Sequence, residues 1–238
     1  MRMRVAMLAA MLVCTTAQAA DLTGIAKVID GNTLAVGGTK IRLERIDAPA
    51  TDQVCLNAEA VRWNCGIEAR DQLATHIAGR EIRCTPNGVD DQRRTLATCY
   101  LVDEDLNGWM VQQGWALPYF RQSFVFVNAE KDAQIQKRGL WQGAFIAPWD
   151  WRRRNNMTTV MGSLKEPNAK AMLLNPSTTA NAPSPKCTIK GDTTRSGQRI
   201  YHMQPQKSYA RIKMDKVSKR WFCTAEEAET AGWRRARR

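Results

Sequence analysis

Two guanidinium groups and a set of short oxygen-bearing side chains are the residues of this chain best suited to chemistry. Asp30-Gly31-Asn32-Thr33 closes a strand in a tight turn and delivers a short polar side chain at its end. Arg42-Leu43-Glu44-Arg45-Ile46-Asp47-Ala48-Pro49 follows, with Arg42 on one face of a second strand and Asp47 just before a proline stop. Farther on, Asp90 to Leu101 reads as a loop that leads Arg93 and Arg94 into a strand over Thr95–Leu101. Oxygen ligands suit a hard cation, and two fork-shaped cations suit the oxygens of a phosphate. The combination fits the cleavage of a phosphate diester.

The elements that would position these groups can be read from pattern. Leu22 to Ile29, Asn32 to Val36 and Ile41 to Ile46 predict strands, with Gly37-Gly38 turning the hairpin between the last two. Glu81 to Cys84 and Thr95 to Leu101 supply two more. Ile67, Leu73, Ala74 and Ile77 predict one helical face, ended at Gly79. Asp105 to Gln113 and Ser123 to Arg138 predict two further helices, the second ended by Gly139. Five short strands interrupted by about three helices suit a mainly β, α+β fold with a small oligonucleotide-binding-type barrel.

Taken in order, these motifs resemble the staphylococcal-nuclease-like (thermonuclease) family over roughly residues 22–151. The residues that carry the resemblance are Val28-Ile29-Asp30-Gly31-Asn32-Thr33, Arg42 to Ala50, Cys65-Gly66 to Ala69, and Arg93-Arg94-Thr95-Leu96-Ala97. Asp105-Leu106-Asn107 to Ala116, Gly139-Leu140-Trp141 and Pro148-Trp149-Asp150-Trp151-Arg152 complete the series. The resemblance implies the same barrel, calcium at Asp47 and Asn32, and phosphate recognition by Arg42 and Arg94 as catalytic guanidiniums.

The departures from the family pattern bear on activity. Asn32 stands where the family has a calcium-ligating carboxylate, and Ala50 where it has a glutamate near the attacking water. An amide oxygen brings no charge, so the implied calcium site is weakened. Alanine neither ligates nor accepts a proton. Asp30, Glu44 and Asp52 lie nearby in sequence, without a spacing that points them inward. Arg45 and Arg93 replace family glycines.

Organisation along the chain divides it into four. Arg2 and Arg4, the apolar run Val5 to Val13 and Ala17-Gln18-Ala19 read as a signal peptide over residues 1–19, placing the mature protein in the periplasm or medium. Cys14 leaves with it. The nuclease-like domain spans 20–152, and a stretch rich in Asn, Thr, Ser, Pro and Ala over 153–186 reads as a flexible linker. Residues 187–238 form a small basic module that resembles a tail found after exported bacterial nuclease-like domains. No later stretch is long and apolar enough to span a membrane, and a monomer is expected.

Six cysteines remain after the signal: Cys55, Cys65, Cys84, Cys99, Cys187 and Cys223. In an exported chain an even count reads as disulfides, with fifteen pairings available in principle. Proximity favours Cys55 with Cys65 and Cys84 with Cys99, which leaves Cys187 for Cys223; reduced buried thiols are the alternative. Cys187, His202 and Cys223 are also a partial zinc set, although a disulfide with a structural histidine suits them better. Tyr201, Tyr209, Trp221 and Trp233 read as the core of a tiny domain in preference to a base-stacking surface.

Charge is unevenly divided. Residues 1–150 carry 16 Lys and Arg against 17 Asp and Glu, a net of −1, whereas residues 151–238 carry 19 against 6, a net of +13. The tail therefore holds the excess, which suits DNA, RNA or another polyanion, or else a solvated basic face. The reading is of an exported nuclease-family protein acting on nucleic-acid phosphodiesters, its hydrolysis weak or lost. The alternatives are a fully active calcium-dependent endonuclease and a non-catalytic polyanion-binding or envelope-polysaccharide scaffold.

Overall fold

In the computed structural model, which describes residues 20–119, 125–153, 158–174, 185–194, 196–214, 216 and 219–237, the strands close into a barrel. Leu22–Asp30, Thr33–Val36 and Thr39–Leu43 form a meander, and Glu81–Val89 pairs the outer edge of the first strand. Thr95–Leu101 then pairs Glu81–Val89 on one side and Thr39–Leu43 on the other, which closes the sheet. The first strand alternates half-buried and exposed along most of its length, as expected where one face packs on a core and the other meets water. Gly37 and Gly38 adopt positive φ at the hairpin tip, the backbone twist a tight two-residue turn requires.

The barrel core comprises Leu34, Ile41, Leu43, Ile82, Ala97, Cys84 and Cys99, capped at one end by the helices Cys65–Ile77 and Leu106–Gln112. The first helix buries Cys65, Gly66, Ala69, Leu73 and Ile77. The face expected from Ile67 and Ala74 is therefore rotated: the i, i+4 series starting at Cys65 faces the core, because the first turn is pinned at Gly66. Leu106–Gln112 is capped by Asp105, whose carboxylate accepts from the Asn107 and Gly108 amides at 2.8 and 3.1 Å. Of the segment read as a helix over 123–138, Val127–Ile135 is helical, and its first two residues lie outside the described residues. Residues 1–19, read as the signal, lie outside them too.

Part of the expected linker is ordered. Val160–Gly162 pairs antiparallel with Ala144–Ile146, and the helix Ala169–Leu174 buries Ala169 and Leu173 in a second core with Val54, Leu56, Ile146 and Trp151. Composition suggested a flexible stretch over 153–186; the few apolar residues within 158–174 are enough to dock it.

The C-terminal module is a four-stranded sheet of Ile189–Thr193, Arg199–His202, Arg220–Phe222 and Arg234–Arg235 beside the helix Ala225–Thr230. Its core is Ile189, Tyr201, Phe222, Ala228 and Trp233. Gly191 is required there, since a Cβ would sit 2.7 Å from the Trp233 ring and 2.8 Å from Phe222. Tyr201 and Trp233 are thus core residues, whereas Tyr209 and Trp221 flank the Lys190 ammonium at 4.4 and 5.7 Å from their ring centroids. The disulfides are Cys55–Cys65, Cys84–Cys99 and Cys187–Cys223. The second joins residues directly opposed in register on neighbouring strands.

Candidate active site

The site is assembled by three backbone devices. Asn32 ends the first turn, its backbone amide donating to the Asp30 carboxylate at 2.7 Å. Ile46–Asp47 forms a two-residue ladder with Leu117–Pro118, which fixes Asp47, and the Tyr119 amide donates a hydrogen bond to the Arg45 carbonyl, which brings Tyr119 to the rim. Gly66 opens the helix that backs the loop. A Cβ there would fall 1.7 Å from the Ala50 carbonyl oxygen, so only glycine lets the helix press against the Ala48–Thr51 segment.

Asn32 and Asp47 do come together, but not as cation ligands. The Asn32 Oδ1 accepts from the Ala48 amide at 2.6 Å, while its Nδ2 donates to the Ala48 carbonyl at 3.0 Å and to Asp47 Oδ1 at 3.4 Å. The side chain is clamped to the loop with its hydrogens toward the carboxylate. Asp47, almost fully buried, accepts from Arg42 Nη2 at 3.2 Å on Oδ1 and from Arg152 Nη2 on Oδ2. Both oxygens of the expected calcium ligand are thus taken by guanidinium groups, and the amide oxygen beside them is taken by a backbone amide. This donor set does not fit calcium. Among the described residues, no group of three or more His, Cys, Asp or Glu gathers for a metal.

The arginines face one cleft. Arg42 is held at the Ile46 carbonyl, 3.2 Å, as well as at Asp47. Burial lowers its pKa, Asp47 works against that, and Arg94 and Arg152 add like-charge repulsion. Arg94 is aimed by Asp90, which accepts from its Nε at 2.6 Å and from its backbone amide at 2.9 Å. Burial raises the Asp90 pKa, but these hydrogen bonds and the Arg94 charge together hold it below the ordinary value. Arg94 Nη2 also pairs with Asp90, at 2.6 Å, and Nη1 reaches Thr33 Oγ1 at 3.4 Å and the Thr230 carbonyl at 3.3 Å.

Two lobes meet at these arginines, of about 530 Å³ and 380 Å³. Arg42, Arg94, Arg152, Tyr119 and Trp149 line both. Tyr119 and Trp149 stand 6.0 Å apart between ring centroids and tilted, an aromatic rim beside a cationic floor. Six arginines against Asp30 and Glu227 line the smaller lobe, so it is built for an anion.

The nearby carboxylates take different places. Asp30 lines the smaller lobe. Glu44 is turned away, bound to Thr98 Oγ1 at 2.6 Å and Asn87 Nδ2 at 2.9 Å. Asp52 is buried in a two-pronged bond with Arg220, 2.9 and 3.1 Å, and accepts from Trp151 Nε1 at 3.3 Å. His202 donates to or accepts from Ser208 at 2.9 Å through Nδ1, and Cys187 and Cys223 are joined as the disulfide favoured over a tail metal set.

Several contributors were missed in the sequence, the rim residues Tyr119 and Trp149 among them. Arg152 belongs to the Pro-Trp-Asp-Trp-Arg motif, which was a signal with no role attached. Glu227, Thr230 and Ala231 come from the C-terminal module, which forms one wall of the smaller lobe. No local pattern could have placed them there.

A family model described as Staphylococcal nuclease homologue matches residues 40–143. A succinoglycan biosynthesis protein, ExoI, of Rhizobium meliloti (strain 1021) is 33% identical over 141 residues, covering 58% of this chain and 74% of that protein. An uncharacterized endonuclease of Escherichia coli O157:H7 is 32% identical over 144 residues, covering 57% of this chain and 88% of its own. The chain belongs to the staphylococcal nuclease homologue family. An uncharacterized endonuclease of Haemophilus influenzae (strain ATCC 51907 / DSM 11121 / KW20 / Rd) is 29% identical, covering 56% and 74%. The matched family region ends before the ordered segment at 158–174 and before the module, so both lie outside what this family model describes.

Proposed function

We propose that this family member binds nucleic-acid phosphodiesters in the arginine cleft and that the calcium-dependent hydrolysis of its family is weak or lost in it. The observation that carries this reading is a division within one site. Arg42 and Arg94 face the cleft together, whereas Asp47 is spent on Arg42 and Arg152, and Ala50 offers no carboxylate. Phosphate recognition rests on the former and calcium chemistry on the latter. Relatives named as endonucleases support a nucleic-acid substrate. Three disulfides support an exported protein in an oxidising compartment.

Binding of a fluorescein-labelled single-stranded DNA, followed by anisotropy at low salt, tests it. A lost charge-assisted hydrogen bond costs roughly 1.5–3 kcal/mol, so Arg42→Ala and Arg94→Ala are each expected to weaken binding by about 10-fold or more. Unchanged affinity in both variants overturns the reading. An anionic polysaccharide belongs in the same titration, because one relative's name refers to succinoglycan biosynthesis. Preferential competition by the polysaccharide favours the envelope-scaffold reading.

A further inference from the structure

The module is fastened to the cleft by specific contacts, those of Arg220 with Asp52 and of Glu227 with Thr51 being buried. Arg220 grips both oxygens of Asp52, the Thr230 carbonyl accepts from Arg94, and Lys27 pairs with Glu226 at the edge. Thr51 Oγ1 donates to Glu227 Oε1, and Thr51 directly follows Ala50. Glu227 therefore reaches the cleft wall beside the one position at which the family glutamate is missing.

We infer that Glu227, carried by the C-terminal module, is the proton-accepting carboxylate of this cleft in place of the side chain that Ala50 lacks. The inference rests on the phosphodiester reading above. Glu227 lines the same lobe as Asn32, Arg42, Ala50 and Arg94. Burial, followed by the facing charge of Asp30, pushes its pKa up to about 7, against hydrogen bonds from Thr51 and the Cys223 amide and the charge of Arg220. Around it Asp52 is paired with Arg220 and Arg94 with Asp90, and Arg42, Arg152, Arg153 and Arg199 line the same lobe. A carboxylate that titrates near neutrality is matched to general-base work.

The step it would serve is hydrolysis. A cleft water gives a proton to Glu227 as its oxygen bonds to phosphorus, and the bond from phosphorus to the departing nucleoside oxygen breaks. That oxygen is protonated by solvent, and Glu227 returns its proton to solvent, so one water is consumed per diester cleaved. Arg42 and Arg94 hold the charge of the five-coordinate phosphorus.

Glu227 also has a structural role to be separated from this one. It is the third residue of the helix Ala225–Thr230, whose cap is Thr224, and it accepts from the Cys223 amide at 2.8 Å. Thr51 and the Cys223 amide bond to different oxygens of Glu227; a glutamine oxygen can accept from the Cys223 amide while its nitrogen donates to Thr51 Oγ1, and neither atom takes a proton. The experiment is therefore hydrolysis of bis(p-nitrophenyl) phosphate by the full chain with chelator present, with oligonucleotide binding measured in parallel. The expected result is slow turnover that rises through about pH 7, lost by roughly 100-fold in Glu227→Gln with binding retained. Ala50→Glu should restore turnover in the Glu227→Gln chain and add little to the wild type, which already holds a base; an equal gain in both chains overturns the inference. Equal rates and pH profiles for wild type and Glu227→Gln overturn the inference. So does a wild type that binds the oligonucleotide but cleaves no diester, an outcome that leaves the proposed binding function standing; loss of oligonucleotide binding by the wild type strikes that function itself. Should Glu227→Gln fail to fold, the wild-type profile decides, and a rate flat between about pH 6 and 8 overturns the inference.

Discussion

Arg45 and Arg93 occupy left-handed backbone, at φ 63° and 59°. The resemblance implies glycine at both positions, and the turns hold them in a conformation that costs a side chain roughly 1–2 kcal/mol. Arg45 recovers part of this through Glu44 at 3.3 Å, whereas Arg93 is exposed. Arg93→Gly should therefore stabilise the fold by about 1 kcal/mol in urea unfolding, after allowing for the greater freedom of glycine in the unfolded chain. A destabilised variant would show that the Arg93 side chain contributes contacts that outweigh the strain. Residue chemistry also sets the calcium prediction. Asn32→Asp with Ala50→Glu should give calcium binding by titration calorimetry and calcium-dependent DNA cleavage, both beyond the natural chain, because the amide clamp on Ala48 is lost and two carboxylates join Asp47. A natural chain that already equals the double variant with calcium would contradict the reading of the Asp47 pocket.

At the scale of elements, the segment at 158–174 is an integral part of the fold. It adds a strand to Ala144–Ile146 and sets Leu173, with no exposed surface, against Leu56, Ile146 and Trp151. Trp151 in turn positions the Pro148–Arg153 helix whose Arg152 reaches Asp47. Leu173→Ala should cost about 3 kcal/mol by cavity formation, read in thermal or urea unfolding. It should also weaken oligonucleotide binding by loosening the helix that carries Arg152. A loss of under about 0.5 kcal/mol, typical of surface positions, would mean the segment is not packed as described.

For the whole molecule, the docked module couples stability to pH. Glu227 is pushed by burial from 4.5 to about 7, so between those values the folded chain holds a proton that the unfolded chain has released. Its contribution is fully present below about pH 4.5 and is lost as pH rises through about 7, amounting to roughly 3 kcal/mol. Asp90 runs the opposite way: its lowered pKa gives stability that is present above the ordinary carboxylate range and lost as pH falls. The prediction is best read as a difference. Unfolding free energy of the natural chain should fall relative to Glu227→Gln between about pH 5 and 8, and parallel curves would refute the assigned burial of this carboxyl. The net +13 of residues 151–238 is also partly spent, since Arg152 and Arg220 neutralise Asp47 and Asp52 in the barrel.

Local pattern determined a good deal of this protein. Alternation over Leu22–Asp30, the Gly37-Gly38 turn and the Asp105 cap are short-range physics, and they predict the barrel strands and the Leu106–Gln112 helix without reference to the rest of the chain. That Asn32 and Ala50 carry no carboxylate is likewise legible, because a side chain without one lacks it in any fold. Direction and distant contact were not legible. Nothing near Asp47 announces Arg152, 105 residues away, and nothing near Asp52 announces Arg220, 168 residues away. The contact between Thr51 and Glu227 spans 176 residues and converts an apparent tail into a wall of the cleft. Such pairings depend on where packed surfaces meet and which way a side chain leaves its backbone, and a chain closes distances of that length for a modest entropic cost that leaves no mark on its composition. The sequence by itself thus determined the barrel and the absence of a carboxylate at Asn32 and Ala50, and only the tertiary structure decided which groups line the cleft.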